Sequence, residues 1–554
     1  MKKCDLVMKG GITSGIVYPG AVLELSKEFR FANIGGTSAG AIAAALTAAA
    51  EHRRAGGGGD AGFDAIAKLP TWMAERVGGR SRLLRLFEPP PETEALFESA
   101  LAYVETEGGS RTKAFALLRT LMRGFPRYGG IAAAAGVALM LVAALSAGHA
   151  AMLIVVAALA MLTVGAVVAA TVVEAMVHAS HALPKQGFGV STGKALTDWL
   201  SDEIERVAGV DTPLTFGDLR SREVNLEVMT TNLTHGRPYR MPLESRHFFF
   251  DTAEMRALFP ERIVQWMIEH AQPRGPLFSL PSEAMPVVVA TRMSLSFPLL
   301  LSAVPLWAVD FGRRTGKRRP ERCWFSDGGI TSNFPVHFFD APVPRWPTFA
   351  INLAQHTPRY HAPEQRVYAP RSNRGGILEW WTPIEDLADF LKAIGGTMQN
   401  WRDNMLLHLP GQRDRIAHVL LAPGEGGMNL SMDESAISGL SARGGEAGRA
   451  FREQFRWRNH KWLRFLSFMS SLESALESWQ RAFDDVTEPP SVGELVSGPD
   501  PLPSYKVAPA ERAAMSAAST AFLEHVRANF AAQPFRKPKK RPRPEPVLRA
   551  MPRE

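Results

Sequence analysis

A serine between two glycines is the first feature of the sequence that could do chemistry. The segment GTSAG, residues 36–40, follows the apolar run FANI, residues 31–34, and precedes an alanine-rich stretch. A G-x-S-x-G turn between a strand and a helix presents a serine hydroxyl, here Ser38, for nucleophilic attack. Gly36 and Gly40 would relieve crowding at this nucleophile elbow. The alternative is a glycine turn that contains a serine by chance.

A second glycine-rich loop lies upstream, in the segment CDLVMKGGITSGIVYPG, which predicts a strand, a loop and a helix. Gly10, Gly11 and Gly15 give the spacing G-G-x-x-x-G. Such a loop exposes consecutive backbone N–H groups, which can bind an oxyanion or a phosphate. Nucleotide binding is the weaker alternative, because no P-loop lysine follows and G-x-G-x-x-G is not matched.

The best candidate for a base is Asp327 in the segment CWFSDGGITSNFPV. It ends an apolar run and is followed by Gly328 and Gly329, which complete a DGG motif. A serine hydroxyl is a weak nucleophile until a neighbouring group accepts its proton. A carboxylate with a pKa near 4 is a poor base, so Asp327 needs a desolvated site that raises its pKa. Ordinary turn chemistry before a glycine pair is the alternative.

The elements around these motifs predict an α/β fold, with helical patterns between some of the strands. Two adjacent strand–loop–helix units place their loops at the same carboxyl edge of a parallel sheet. We therefore expect the glycine loop and Ser38 to be neighbours. The predicted strands after residue 200 are VNLEVMTTNLT (224–234), PVVVAT (286–291), RCWFSDGG (322–329), TFAINLA (348–354) and IAHVLLAPG (416–424).

Taken together, KGGITSG, GTSAG and SDGG, in that order, resemble the motifs of the patatin-like phospholipase family. VMTTNLTHGRP, ATRMSLSFP and DGGITSNFPV look like that family's segments around its middle strands and its aspartate. The resemblance covers roughly residues 4–55 and 190–450. It implies a three-layer α/β/α sandwich with a mostly parallel central sheet. It also implies a serine lipid acyl hydrolase that cleaves acyl esters of membrane lipids through an acyl-enzyme intermediate.

The resemblance further implies a Ser–Asp dyad in place of a triad. Ser38 would be the nucleophile, and Asp327 would accept its proton and later activate water. Backbone N–H groups around Gly10, Gly11 and Ile12 would bind the oxyanion. No cofactor is expected, and the fourteen histidines show no pattern typical of a metal site.

The glycine loop departs from the family's pattern, which is usually G-G-G-x-R-G. Ile12 stands at the third glycine and Ser14 at the basic position. The backbone donors survive this exchange, whereas the positive charge does not. A catalytically weak or inactive, membrane-tethered lipid-binding or scaffold protein is therefore the alternative function.

A long uncharged stretch predicts a membrane hairpin, since residues 128–173 contain no Asp, Glu, Lys or Arg. The stretch breaks at SAGHA into apolar segments of roughly 131–147 and 151–173, and a membrane-crossing helix needs roughly 20 such residues. Basic flanks place both ends in the cytoplasm of a bacterial-type inner membrane. A helical hairpin buried in a soluble core is the alternative. The flanking residues are Arg119, Arg123, Arg127 and Lys185.

Charge and cysteine content limit the partners and the compartment. The 554-residue chain has a formal net charge of +8, which favours lipid headgroups or nucleic acid. Membrane phospholipids or related acyl lipids are the partners that the resemblance implies. Nucleic-acid binding stays open for the basic tail alone, since the rest of the chain offers no recognition motif for it. Cys4 and Cys323 are the two cysteines, so a disulfide framework is excluded and a reducing compartment is favoured.

Domain boundaries follow from these segments. The basic segment 313–322 is expected to form a hairpin loop, which either contacts anionic headgroups or is simply solvated. A long helical pattern covers 446–480. The expected units are the first part of the catalytic domain (1–60), a helical insertion (61–128), the transmembrane hairpin (129–178), the rest of the catalytic domain (186–450), a helical C-terminal region (451–530) and a basic disordered tail (531–554).

Overall fold

The fold is described from a computed structural model of the chain. Most of the predicted basic loop at 313–322 and most of the predicted tail at 531–554 lie outside the described residues. The structure describes residues 1–106, 109–146, 149–243, 247–312, 319–370, 381, 383–422, 424–427, 429–484, 487, 490–498, 507–530, 532–537, 542–543 and 548.

Strands are found along the chain from residue 2 to residue 421. They are β1 (Lys2–Met8), β2 (Phe29–Gly36), β3 (Arg76–Val77), β4 (Arg80–Ser81), β5 (Gly189–Ser191), β6 (Asn225–Asn232), β7 (Arg237–Met241), β8 (Phe248–Phe250), β9 (Pro273–Arg274), β10 (Leu277–Ser279), β11 (Leu299–Leu301), β12 (Val304–Val309), β13 (Pro320–Asp327), β14 (Thr348–Gln355), β15 (Val367–Tyr368) and β16 (Ile416–Leu421).

Helices occupy most of the remaining described chain. They are α1 (Tyr18–Ser26), α2 (Ala39–Arg53), α3 (Ala61–Ala67), α4 (Leu69–Ala74), α5 (Arg82–Arg85), α6 (Glu94–Glu105), α7 (Ser110–Gly124), α8 (Pro126–Ser146), α9 (His149–Lys185), α10 (Lys194–Ala208), α11 (Phe216–Ser221), α12 (Thr252–Arg256), α13 (Glu261–Glu269), α14 (Val287–Ser294), α15 (Leu387–Leu407), α16 (Glu434–Gln454), α17 (Trp457–Asp484), α18 (Val492–Ser497) and α19 (Pro509–Phe530).

A large mixed sheet forms the centre of this α/β fold. Within the described residues it has twelve strands in the order β15-β16-β14-β1-β2-β6-β13-β12-β8-β10-β9, with β7 also paired to β6. The five neighbouring strands β16, β14, β1, β2 and β6 run parallel. Each successive pair in the order β6-β13-β12-β8-β10-β9 is antiparallel. Strand β7 is antiparallel to β6, and β15 is antiparallel to β16. The expectation of a mostly parallel sheet is thus corrected to a mixed sheet, because hairpins after β6 return the chain directly beside itself.

Two further predictions of elements are wrong. The run at 286–291, predicted as a strand, forms the start of helix α14. Every residue of that helix is buried, and a run buried on all sides carries no period that separates strand from helix. The single helix predicted over 446–480 is interrupted between α16 and α17. Phe455 there is extended, and its ring contacts that of Phe349 at 5.1 Å.

Helices α8 and α9 pack against each other as a long apolar pair. The segments Pro126–Leu145 and Ile154–Lys185 have mean hydropathies of 2.0 and 2.4 and are long and apolar enough to cross a membrane. Only 11% and 6% of their most apolar windows are buried in the protein. The alternative of a hairpin buried in a soluble core therefore does not match the structure.

Candidate active site

Ser38 lies on a strained turn between β2 and α2. Its backbone has φ +52° and ψ −130°, a conformation that costs a non-glycine residue about 1–3 kcal/mol. The flanking glycines are required by space: a Cβ on Gly36 would lie 2.3 Å from the carbonyl oxygen of Gly40, and one on Gly40 would lie 2.3 Å from that of Met8. The GTSAG segment is thus a tight strand–turn–helix elbow, as predicted.

Two hydrogen bonds fix the elbow from residues far away in the chain. The backbone N–H of Ser38 donates to Oγ of Ser294, the last residue of α14, at 3.1 Å. The hydroxyl of Thr37 donates to the carbonyl oxygen of Asn333 at 3.0 Å. Ser294 and Asn333 were not singled out by the sequence analysis, although both fall in segments that carry the family resemblance.

Asp327 ends β13 beside Thr230 of β6 and is fully buried. Its N–H donates to the carbonyl oxygen of Ser296 at 2.9 Å, and its Oδ1 accepts the Gly329 N–H at 2.6 Å. Burial raises the pKa of Asp327 to about 7, whereas the Ser38 hydroxyl and the Gly329 N–H lower it. Oδ2 makes no completed hydrogen bond with any described residue. The Ser38–Asp327 contact is therefore looser than a full hydrogen bond, as such pairs often are before substrate binds.

The three predicted motifs meet around the side chain of Asn333. A Cβ on Gly10 would lie 2.2 Å from Asn333 Oδ1 and 3.0 Å from the Cβ of Ser38. A Cβ on Gly329 would lie 2.8 Å from the same Asn333 oxygen and 2.9 Å from Asp327 Oδ1. The structure thus brings the glycine loop, Ser38 and Asp327 together at the carboxyl edge of the parallel strands.

Gly328 has a separate role at the start of the turn. A Cβ on Gly328 would lie 2.1 Å from the carbonyl oxygen of Met229, so only glycine fits against β6 at this point. The DGG motif therefore combines a space requirement at Gly328 with a hydrogen bond from Gly329.

The glycine loop differs in detail from the expected oxyanion site. The Gly10 N–H already donates to the carbonyl oxygen of Asn333 at 2.8 Å, so Gly10 shapes the loop and does not offer a donor. Gly15 lies in a 3-10 turn against Ala39. The N–H groups of Gly11, Ile12 and Ala39 have no hydrogen-bond acceptor among the described residues. Of these, the sequence analysis did not single out Ala39, the first residue of α2.

Ser14 uses its side chain to anchor another loop. Its Oγ accepts the Gly427 N–H at 3.0 Å, and a Cβ on Gly426 would lie 2.2 Å from this oxygen. The loop after β16 leaves little room for a long basic side chain at position 14. The departure from the family's pattern thus coincides with a close contact between the glycine loop and the segment that follows β16.

A buried lysine adjoins the glycine loop. Nζ of Lys9 donates to the carbonyl oxygen of Leu353 at 3.1 Å, and burial lowers the pKa of Lys9 to about 8. The carboxylate of Asp403 opposes this shift. Asp403, on α15, also accepts the Ser332 hydroxyl at 2.7 Å and the Phe334 N–H at 2.8 Å. Helix α15 is thereby fixed to the segment that follows the DGG motif.

A buried arginine supports the Asp327 side of the site. Nη1 of Arg292 donates to Oγ of Ser296 at 2.6 Å, and Nη2 donates to the carbonyl oxygens of Thr192 and Ser302. Burial lowers the pKa of Arg292 to about 10. Because the Ser296 carbonyl accepts the Asp327 N–H, this arginine orients the base through one intermediate residue.

The part of the chain that the structure describes contains no cluster of side chains suited to bind a metal ion. No group of three or more His, Cys, Asp or Glu side chains there could hold a metal ion. Cys4 and Cys323 are both buried and free.

Comparison with known proteins finds a relative by sequence and a solved structure of low similarity. The chain is 37% identical to the "RpoH suppressor" of Rhizobium meliloti (strain 1021), over 85% of this chain and 86% of that protein. No family model matches the chain. The crystal structure of VipD from Legionella pneumophila aligns with 97% of this chain and 88% of its own, at 12% identity and a TM-score of 0.28. At that score the two folds are not shown to be related.

Proposed function

The chain belongs to the family of the RpoH suppressor of Rhizobium meliloti (strain 1021), and from its candidate active site we propose that it is a serine acyl hydrolase of the patatin type. One observation carries the proposal. A serine on a strained elbow lies beside a fully buried aspartate whose pKa is raised to about 7. That pKa makes the carboxylate a useful base near neutral pH.

The first half of the proposed reaction acylates Ser38. Oδ2 of Asp327 accepts the proton of the Ser38 hydroxyl while Oγ bonds to the carbonyl carbon of the ester. The negative charge moves to the carbonyl oxygen, where the N–H groups of Gly11, Ile12 and Ala39 can donate to it. The tetrahedral intermediate then collapses, and Asp327 gives its proton to the departing alcohol oxygen.

The second half hydrolyses the acyl-serine. Asp327 accepts a proton from water as the water oxygen bonds to the acyl carbon, and the same N–H groups bind the second oxyanion. The bond between the acyl carbon and Ser38 Oγ breaks, and the proton on Asp327 returns to Oγ. A carboxylic acid leaves. No metal or other cofactor takes part in these steps.

The five parallel strands that carry Ser38 and the glycine loop support a patatin-like α/β/α catalytic domain. We assign this domain to residues 1–60 and 186–450. The antiparallel strands after β6 then belong to it as an extension that positions Asp327. Residues 61–128 form a helical insertion that leads into the hairpin.

Membrane lipids are the proposed substrates, and the position of the hairpin supports them. Helix α9 ends at Lys185, three residues before Phe188, whose exposed ring contacts that of Trp324 at 5.2 Å. Trp324 lies on the same strand as Asp327, and its backbone carbonyl oxygen accepts a hydrogen bond from the N–H of the exposed Leu233. Strand β6 extends past the end of β2 toward Leu233 and Trp324, beyond the strand ends that carry Ser38. In this proposal the hairpin, which ends close to Trp324, therefore leaves the domain on the side of Ser38.

Helix α15 supports the same orientation from the other side of the site. Asp403 fixes this helix to the active-site loop, and several of its apolar side chains are exposed. An exposed apolar helix face attached to the active-site loop suits the boundary between headgroups and acyl chains. The exposed residues are Leu387, Phe390, Leu391, Met398, Trp401 and Met405. We propose that the site faces the cytoplasmic surface of the inner membrane.

Covalent labelling tests the proposal. Wild-type protein should react with a fluorophosphonate probe and hydrolyse phospholipids in mixed micelles, and Ser38→Ala should do neither, since it lacks the attacking oxygen. Asp327→Asn should keep the fold and lose at least about a thousandfold in turnover, because the amide cannot accept the serine proton.

A folded wild-type protein that is not labelled would favour the membrane-tethered lipid-binding alternative. Full turnover by Asp327→Asn would remove this residue from the mechanism. Thermal unfolding of each variant serves as the control for folding.

A further inference from the structure

An apolar cavity starts at the residue that follows Ser38. Ile12 and Gly15 of the glycine loop and Ala39 of α2 contribute to its lining. About 700 Å³ of this cavity is free of atoms, open mouth included. Its lining extends along helix α2 from Ala39 to Thr47, so the cavity is elongated and suits an extended chain.

The cavity follows one face of helix α2. Ala39, Ala43, Leu46 and Thr47 line it at spacings of three and four residues. The eight residue steps from Ala39 to Thr47 span about 12 Å of helix. An extended hydrocarbon with bonds of about 1.5 Å covers that length with roughly ten carbons. Small side chains at positions 39 and 43 leave the space nearest to Ser38 open.

The three hydroxyl groups in the lining are all paired with backbone carbonyl oxygens of the protein. The Thr47 hydroxyl donates to the carbonyl oxygen of Ala43 at 2.6 Å, and that of Thr13 donates to Gly427 O at 3.1 Å. The Tyr18 hydroxyl donates to the carbonyl oxygen of Lys9. With these groups paired, the walls present methyl, methylene and ring surfaces, which favour an apolar occupant.

The opposite wall comes from segments that flank the hairpin. Met73, Leu83 and Phe87 lie before it in the chain, and Trp199 lies after it. The ring of Trp199 is stacked on that of Trp72 at 5.4 Å, which holds the two segments together. The helical insertion thus closes the cavity as well as leading into the membrane.

We propose that this cavity binds the acyl chain of the substrate and selects chains of about ten carbons over short ones. The inference rests on the proposed function, since it takes the carbonyl carbon of that chain to sit at Ser38. The ester bond would lie between Ile12 and Ala39, with the hydrocarbon running along α2. The ligand class is a single acyl chain, whatever alcohol it is esterified to.

A matched pair of variants tests the cavity. Ala43 and Ala74 are both half-buried helix residues, but only Ala43 lines the cavity. Ala43→Leu should lower kcat/KM for p-nitrophenyl decanoate about tenfold more than for p-nitrophenyl butyrate, because the added side chain occupies the channel. Ala74→Leu should leave the ratio of the two esters as in the wild type. Met73→Trp, from the opposite wall, repeats the test should Ala43→Leu fail to fold.

A binding measurement separates this inference from the hydrolase proposal. Decanoate should raise the melting temperature of the Ser38→Ala protein in detergent, and Ala43→Leu in that background should abolish the shift. If wild type hydrolyses neither ester and decanoate still binds, the cavity stands and the hydrolase proposal fails. If both esters are hydrolysed and Ala43→Leu and Met73→Trp change their rates equally, or decanoate gives no shift, the acyl-chain assignment is overturned.

Discussion

The candidate active site and the α8–α9 hairpin use opposite means to reach a defined structure. Ser38 and Asp327 are distant in the chain, buried, and held by bonds from residues that lie elsewhere again, such as Ser294 and Ser296. The hairpin is a local element whose apolar windows are 11% and 6% buried and which needs little from the rest of the described protein. A change at one site residue should therefore be felt by distant segments, whereas a change in the hairpin should remain local.

This difference suggests that attachment and catalysis can be separated by mutation. Within the hairpin the Tyr128 N–H donates to Glu174 at 2.7 Å, and His178 connects the hairpin to the body of the protein through the Glu92 carbonyl oxygen at 2.6 Å. None of these four residues lies in the elbow, the glycine loop or the DGG motif. Four predictions test this comparison.

The largest effect is expected from charges placed in the hairpin. Leu162 and Val164 are exposed near the middle of the apolar part of α9. Replacing both with lysine should cost about 6 kcal/mol of membrane insertion. The double variant should therefore leave carbonate-washed membranes, while hydrolysis of a soluble butyrate ester stays within twofold or so of wild type.

Leu162→Ile combined with Val164→Leu is the matched control and should remain in the membrane. Two results would contradict the comparison. Retention of the double-lysine protein in washed membranes would show that the hairpin is not the anchor, and loss of soluble-ester hydrolysis would show that the two regions are coupled.

The same contrast explains what the sequence could predict. The hairpin followed from composition, because residues 128–173 lack charged side chains. The elbow followed from five adjacent residues, and one cause of their small size is local, because Gly36 lies against the carbonyl oxygen of Gly40. The large central sheet followed from apolar runs such as those of β14 and β16.

Features that depend on distant contacts could not be predicted. The sequence analysis expects a free N–H group at Gly10, but this N–H donates to the carbonyl oxygen of Asn333, which lies more than three hundred residues away in the chain. The run at 286–291 folds as a helix because α2 and β6 surround it, which no local pattern shows. The position of Ser14 beside Gly427 likewise required the structure.

An intermediate effect is expected from pH, and it belongs to the site alone. Because the pKa of Asp327 is raised to about 7, the base is protonated in acid. Hydrolysis of a neutral ester should rise about tenfold per unit between pH 5 and 7 and level off above. Membrane retention should not change over this range. A profile that is flat from pH 5 to 8 would argue against Asp327 as the base.

Stability should depend on pH with the opposite sign. The pKa of Asp327 is higher in the folded protein than the value near 3.9 of an unfolded chain, so folding favours the protonated group. Its contribution is fully present below pH 4 and is lost as pH rises through 7. The melting temperature of Asp327→Asn should therefore fall less than that of wild type between pH 4 and 8.

The smallest effect is expected from the strain of the elbow itself. Ser38→Gly and Ser38→Ala both remove the hydroxyl, but only alanine keeps a Cβ at φ +52°. Relief of that strain should stabilise the glycine variant by about 1 kcal/mol relative to alanine, after the entropy that glycine loses on folding. Urea unfolding in detergent measures the difference, with both variants inactive. A glycine variant less stable than the alanine variant would mean that the turn stores no strain at Ser38.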